Sequence, residues 1–325
     1  MSELSLTVVV PTWNKVGLLA ACLHSLELQS CPPDAIIVVD DRSTEDVQGR
    51  IAAAFPRVRV IRLEVNSGFC RAVNTGMRAT SGSHVLLLNN DMTLERDCIE
   101  RLMYAAERSP ATLLTPLVLF ESQRDVIYSA GDRVRVDGRP ESIGHRVSRD
   151  VFTLPSRIFG VTGGAALIPR EVFDHIGLFD ERFIAYFEDA DFCMRARLAG
   201  FDAALVPDAI AYHVGSASLG GKTWWRSRQC FRNHALLVAK NFPRQVLLRN
   251  GAAILRECFH QARMLVSSAR SEFGMLRALG IMAGTIGDML ALVPHAARER
   301  ARIQRTRLIS PERVAELLSQ TGGDA

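Results

Sequence analysis

The chain has 325 residues, 48% of them apolar and 23% charged, with a net charge of +4. That length accommodates one large α/β domain with an appendage, or two domains, and the composition excludes a globally disordered chain. Seven cysteines, an odd number with no CxxC pair, argue against a disulfide framework or a zinc knuckle and for free thiols in a reducing compartment.

In chain order, the N-terminal MSELSLTVVVPTWN lacks a basic segment ahead of its short apolar run and reads as a strand rather than a signal peptide. LTVVV (6–10) is β-branched throughout, as in a strand buried on both faces, and Pro11 ends it. Residues 14–28 place Leu18, Leu19, Cys22, Leu23 and Leu26 on one helical stripe. AIIVVD (35–40) and VRVIRLE (58–64) predict the second and third strands, GFCRAVNTGMRAT a helix, and HVLLLNND (84–91) a fourth strand ending in three polar residues. Such alternation predicts a parallel, doubly wound sheet. Between about 110 and 160 the pattern loosens into irregular strands and a loop, with DRVRVDGRPES a short hairpin. GGAALIP, REVFDHIG and AALVPDAIAYH restore strand, helix and strand, and the chain is helical beyond about 222. The longest apolar run, Ala278 to Pro294, is interrupted by Asp288, so no membrane-spanning segment is expected.

Ligands of open α/β sheets bind at the carboxyl ends of strands. There the sequence offers Pro11, Thr12 and Trp13, then Asp40 and Asp41, then Asn89, Asn90 and Asp91. No GxGxxG follows the first strand and no P-loop motif occurs, so bound phosphates need another partner. A hard cation on Asp91 is one, and His213, at a later strand end, is acceptable to Mn²⁺.

FIAYFEDADFCMRARLAGF (183–201) sets Glu188, Asp189 and Asp191 among aromatic residues. As a helix start, with Gly200 as its C-terminal cap, the acids gain about 0.3–1 kcal/mol each from the dipole. Asp191 and Arg195 then pair four residues apart. At about 100° per residue, Asp189 and Asp191 point roughly 200° apart, so two environments are needed. A carboxylate facing a pocket beside Tyr186 and Phe187 has a raised pKa, which suits a general base.

VVVPTWN, VVDDRSTED, NSGFCRAVNTGMRAT, VLLLNNDMTL, the long segment from Gly163 to Gly200, YHVGSAS and RNHALLVAKNFP occur in an order that resembles the family 2 glycosyltransferases of GT-A fold. The resemblance is strongest to bacterial rhamnosyltransferase-like and galactofuranosyltransferase-like members and covers about residues 5 to 245. It implies a Rossmann-like, mostly parallel sheet over 1–221 and a helical extension over 222–325. It implies inverting transfer of a sugar, rhamnose or a related one, from a UDP- or dTDP-sugar to a hydroxyl of a cell-surface glycan or lipid-linked acceptor. Carried over by motif, Asp189 is the catalytic base, and Glu188 and Asp191 hold it or orient the acceptor. Asp91, His213 and Asn89 form the site of Mg²⁺ or Mn²⁺, and Asn89 departs from the acid that opens the family's DxD element. Asp40 contacts the nucleobase, while Pro11, Thr12, Trp13, Gly68, Arg71, Asn74 and Asn90 line the nucleotide pocket.

From Lys222 onward the chain carries 17 Lys/Arg against 7 Asp/Glu, whereas the preceding part carries 22 against 28. This basic, amphipathic tail predicts peripheral attachment of a cytoplasmic protein to the inner membrane surface. It lacks the aromatic-plus-basic pattern of single-strand nucleic-acid binders. Trp224, Trp225, Arg226, Arg228 and Arg232 are open to two readings, contact with a sugar or lipid diphosphate, or ordinary packing and a solvated helix face. Two rival functions stay open. A sugar nucleotidyltransferase needs a Gly-rich basic loop that PTWNKVG does not supply, and a non-catalytic GT-A-like module rests on Asn89 alone.

Overall fold

The computed structural model describes residues 4–215 and 223–319. In chain order its first half comprises β1 (Leu6–Thr12), α1 (Val16–Glu27), β2 (Ala35–Asp40), α2 (Val47–Ala54), β3 (Val58–Arg62), α3 (Phe69–Arg78), β4 (His84–Leu88), β5 (Met92–Leu94) and α4 (Cys98–Arg108). Strands β6 (Thr112–Phe120), β7 (Gln123–Ser129), β8 (Asp132–Val134), β9 (Pro140–Ser142) and β10 (Ala165–Pro169) follow. After α5 (Arg170–Ile176) and a short 3₁₀ turn (Glu181–Phe183) come α6 (Glu188–Leu198) and β11 (Asp202–His213). Helices α7 (Thr223–Asn241), α8 (Arg244–Phe273), α9 (Met275–Thr306) and α10 (Pro311–Ser319) close the chain.

The main sheet has the order β3-β2-β1-β4-β10-β6-β11-β5, with β7 on the edge of β6. Its first four strands are parallel, as the alternation of strands and helices predicts. The strand period of two sorts the core into layers. Val8 and Val10 pack with Leu19, Leu23 and Ile51 on one face, while Val9 packs with Val73 and Phe192 on the other. Each such fully buried apolar side chain contributes roughly 1.5–3 kcal/mol.

Strand direction departs from the expected pattern. Strand β10 runs antiparallel between β4 and β6, and β5 antiparallel to β11, because local patterning does not encode strand direction. Residues 112–129, expected as irregular strands, form β6 and β7, whose pairing shifts register twice. Pro116 sits inside β6, and β11 answers its missing N–H with a bulge between Val206 and Ile210. The predicted hairpin over 132–142 is present as β8 and β9. Strand β4 stops at Leu88, so Asn89, Asn90 and Asp91 form the turn into β5.

Candidate active site

Two strand tips are tied together. Asn90 donates its amide to the Thr12 hydroxyl at 2.8 Å, and beside them Trp13 stands exposed. Pro11 is a buried member of β1, in register with Val39. Next to this, Asp41 accepts the N–H groups of Ser67 and Gly68 at 2.7 and 2.9 Å and so fixes the loop into α3. Exposed Arg71, on the first turn of that helix, acts electrostatically on Asp41. Gly68 is required as glycine. Its φ is +87°, and a Cβ there would lie 2.7 Å from Ile184 Cγ2.

His213, the last residue of β11, sets Nε2 3.2 Å from Asp91 Oδ1, and both residues are buried. Tyr128 stacks edge-on against His213, ring centroids 4.2 Å apart. Burial pushes the Tyr128 phenol up to about 12, with the charges of Asp132, Asp91 and Asp189 adding to the shift. Tyr128 thus feels the β4 tip and the acidic cluster at once. It comes from β7, where the sequence pattern had loosened, and only an aromatic at alternating spacing in VIYS marks it.

Asp189 stands in the first turn of α6, where its carboxylate accepts the N–H of Ala190 at 2.7 Å and approaches that of Gly163 at 3.4 Å. Its pKa is raised by burial, against the lowering effect of those two amides. The glycine pair joins it to the β4 tip. A Cβ on Gly163 would sit 3.1 Å from Asp189 Cβ, while Gly164 accepts the N–H of Asn89 at 2.8 Å and a Cβ there would meet Met92 Sδ at 3.0 Å. Half-buried Asp132, which the sequence reading passed over, is pushed up to about 7 by burial and then by the charge of Asp189.

The segment entering α6 is bent. Ile184, Tyr186 and Phe187 have φ of 66°, 67° and 69°, a region that costs non-glycine residues about 1–3 kcal/mol each. Asn233 of α7 holds the bend. Its amide nitrogen reaches the carbonyl oxygens of Phe183, Ala185 and Tyr186 at 2.9, 2.9 and 2.8 Å. Residues of the helical extension therefore position the acidic cluster. Asn233 lies about 50 residues from its partners and carries no local signal.

Four of the expected site residues are buried. Asp40 is fully buried, bound by the Ser43 N–H at 2.8 Å and by Arg62, so it organises its loop and presents no edge to a base. Asn74 spends its amide on the backbone of Phe179 and on Glu181. Asp191 is fully buried among Arg195, Lys240 and Asn241, at 2.9, 2.9 and 2.8 Å, and faces α7 rather than an acceptor. Glu188 is buried as well, and its Oε2 has no hydrogen-bond partner among the described residues. Burial, and then the charge of Asp189, push Glu188 up to about 8.

A carboxyl raised in this way binds a proton in the folded state that the unfolded chain, with a pKa near 4.3, has released. Stability is therefore expected to fall as pH rises from about 4.3 to 8. Glu188→Gln should flatten that slope in urea titrations at pH 5, 6, 7 and 8. An unchanged slope would show that Glu188 is not its source.

Of the three arginines of α7, Arg228 pairs with Asp288 and Arg232 donates to the Arg182 carbonyl at 2.7 Å. Arg226 lies over the Tyr186 ring, 5.5 Å from its centroid, and its charge also acts on Tyr128. Trp224 packs against Phe273, and Trp225 lies 6.1 Å from Tyr186.

No group of three His, Cys, Asp or Glu side chains converges as a metal cage among the described residues. Asp91 and His213 nevertheless suit a hard divalent cation that keeps waters and takes phosphate oxygens for its other positions. Buried His213 Nδ1 and Asn89 Oδ1 have no hydrogen-bond partner among the described residues, which leaves polar capacity beside this pair.

Residues 7–177 match the sequence profile described as Glycosyl transferase family 2. The chain belongs to glycosyl transferase family 2. Within the family it is 28% identical over 239 residues to N-acetylglucosaminyl-diphospho-decaprenol L-rhamnosyltransferase of Mycobacterium tuberculosis, covering 66% of this chain and 78% of that protein. It is 23% identical over 216 residues to dTDP-rhamnosyl transferase RfbF of Shigella flexneri, covering 65% and 70%. In fold it resembles GalNAc-T7 crystallised with UDP, GalNAc and Mn²⁺ (TM-score 0.60, 19% identity), over 75% of this chain and 49% of that one. It also resembles mannosyltransferase PcManGT from Pyrobaculum calidifontis in complex with GDP-Man and Mn²⁺ (TM-score 0.53, 18% identity), over 94% and 86%. These neighbours establish a GT-A fold with a helical C-terminal region.

Proposed function

We propose that this family 2 enzyme transfers rhamnose or a related sugar, with inversion, from a UDP- or dTDP-sugar to a hydroxyl of a cell-surface glycan or lipid-linked acceptor. The observation that carries the reading is the Gly163–Gly164 pair, which sets Asp189 on one side of a side-chain-free backbone and the Asn89–Asp91 turn on the other. Asp189 takes the acceptor proton as the new bond to the anomeric carbon forms. The old bond to the diphosphate breaks on the opposite face. A single displacement needs one base, unlike the carboxylate pair of glycoside hydrolysis. Asp91 and His213 would hold a divalent cation, which when bound offsets the charge growing on the leaving diphosphate. Thr12, Trp13, Arg71 and the Asp41-bound loop at Gly68 flank the nucleotide. Raised above an ordinary carboxylate, Asp189 is a stronger base than a solvated aspartate. Residues 1–221 would form the catalytic domain and 222–325 a region for acceptor and membrane, acting at the cytoplasmic face.

Titration of UDP and dTDP calorimetrically, with and without Mn²⁺, tests the reading. Metal-dependent binding of one of them is expected, weakened at least tenfold in His213→Ala. Binding indifferent to metal in both proteins would overturn the cation site. A non-catalytic module would bind without hydrolysing any nucleotide-sugar.

A further inference from the structure

Up to Ala297, helix α9 is apolar nearly all round. Between Met275 and Ala297 its only Asp, Glu, Lys or Arg residues are Arg277 and Asp288. One face, with Ala278, Thr285 and Ala296 buried, packs on the neighbouring helices. The opposite face presents Leu276, Leu279, Ile286, Leu290 and Val293 to the outside, Leu276 at 87% exposure. A helix apolar on both faces normally has a partner on both.

Helix α8, joined to α9 through Gly274, supplies the second observation. Arg249, Arg256, Arg263 and Arg270 recur every seven residues and are all exposed, so they form one row along the helix. Beside that row stand Leu248, Leu255 and Phe259, the last 71% exposed. Against its arginines α8 sets two acids, Glu257, buried and bound by Gln261 at 2.6 Å, and exposed Glu272 in its last turn. An apolar strip edged by a row of arginines with one exposed acid at its end matches the chemistry of an anionic lipid surface. The aliphatic side chains enter the acyl boundary while the guanidinium groups reach the head groups.

We propose that the outward face of the α8–α9 hairpin docks in the plane of an anionic membrane surface. A second copy on this face would set arginine rows against each other with no outward carboxylate between Met275 and Ala297 to answer them. By length and composition α9 is able to cross a bilayer, and only 11% of its most apolar window is buried, so its ties to the rest of the protein are what favour an in-plane position. It is tied along its length to the rest of the protein. Asp288 pairs with Arg228, His295 reaches Asp180 at 2.7 Å, and Arg300 donates to the carbonyls of Ala239 and Phe242. Trp224 touches Phe273 at the hairpin turn, and the adjacent Trp225 approaches Tyr186. A docked hairpin therefore brings the cleft to the level of the head groups, where a lipid-linked acceptor presents its sugar. That consequence rests on the function proposed above, and the docking itself does not.

Sedimentation with phosphatidylcholine vesicles, with and without phosphatidylglycerol, tests the docking in the absence of donor and acceptor. Binding is expected only to the phosphatidylglycerol vesicles, and it should fall with added salt. Arg256→Gln/Arg263→Gln should weaken it by about thirtyfold. Phe259→Ser, which removes apolar contact without charge, should weaken it too. Both variants should retain donor hydrolysis and the helical circular dichroism of the parent. Equal sedimentation with both vesicles, undiminished binding of the double variant, or retention after alkaline carbonate washing would each overturn in-plane docking. So would a dimer in solution that Leu290→Arg splits while vesicles fail to bind. Loss of hydrolysis with vesicle binding intact would instead strike the transferase reading alone.

Discussion

Asp189→Asn is expected to lower sugar transfer by about a hundred- to ten-thousand-fold, the range over which a positioned general base acts. Nucleotide-sugar affinity should change less than twofold. Both expectations follow from where the carboxylate sits. It accepts the N–H of Ala190 and approaches that of Gly163, across the glycine pair from the Asn89 turn. Asparagine keeps an oxygen for the shorter of the two bonds, from the Ala190 N–H at 2.7 Å, and gives up only the long approach to Gly163, so the loop is retained. It cannot take a proton from an alcohol, so the loss falls on kcat rather than KM. Steady-state transfer and calorimetric nucleotide binding on the same preparation separate the two. Near-normal turnover would remove Asp189 from the role.

The largest expected loss of stability lies on the other side of the same helical turn from the chemistry. Asp191, Arg195 and Lys240 are all buried, and Lys240 also reaches Asp180 at 2.6 Å. Asp191→Ala leaves two buried cations short of an anion, which costs about 3–5 kcal/mol in comparable cases. Burial alone would raise the pKa of Asp191, but Lys240 and Arg195 reverse that and hold it lowered. The ion cluster therefore contributes fully above the unfolded value near 3.9 and loses its contribution as pH falls through the folded value. Urea unfolding at pH 7 and at pH 3 checks this. The gap between wild type and variant should be wide at pH 7 and narrower at pH 3. A variant within about 1 kcal/mol of wild type at pH 7 would mean that the cluster is not held as a unit.

The two expectations concern neighbouring acids, and the sequence separated them only in part. Helical spacing showed that Asp189 and Asp191 face different ways and that Asp191 pairs with Arg195, as it does at 2.9 Å. Spacing contained nothing of Lys240 or Asn241, which arrive from α7 some 50 residues later. Asn74 and Asp40 show the same limit. A polar residue at a strand end or on a helix reads alike whether it meets a ligand or ties down a loop. Only tertiary structure reveals that the Asn74 amide is taken up by residues 179–181.

Strands β1, β2 and β4 were legible because burial on both faces writes a continuous apolar run. The turn at Asn89–Asp91 and the strand end at His213 followed from where those runs stop. Strands β6 and β7 were legible only as irregular strands without bounds, since Pro116 and the exposed start of β7 break the pattern. Tyr128 was lost with them. Asn233 and the Arg226–Tyr186 contact fell outside any local rule, because the helical extension supplies them across the fold.

A competing pocket gives the central claim a sharp alternative. A cavity of about 440 Å³ lies behind the acidic helix, lined by Asn74, Arg78, Asp180, Lys240, His295 and Arg302. Its cations could serve a diphosphate as well. A crystal structure with UDP and Mn²⁺ decides between the two places. Manganese is expected on Asp91 and His213, with the diphosphate between them and Asp189. Nucleotide seated in the Lys240 cavity, with Asp91 and His213 carrying no metal, would contradict this expectation.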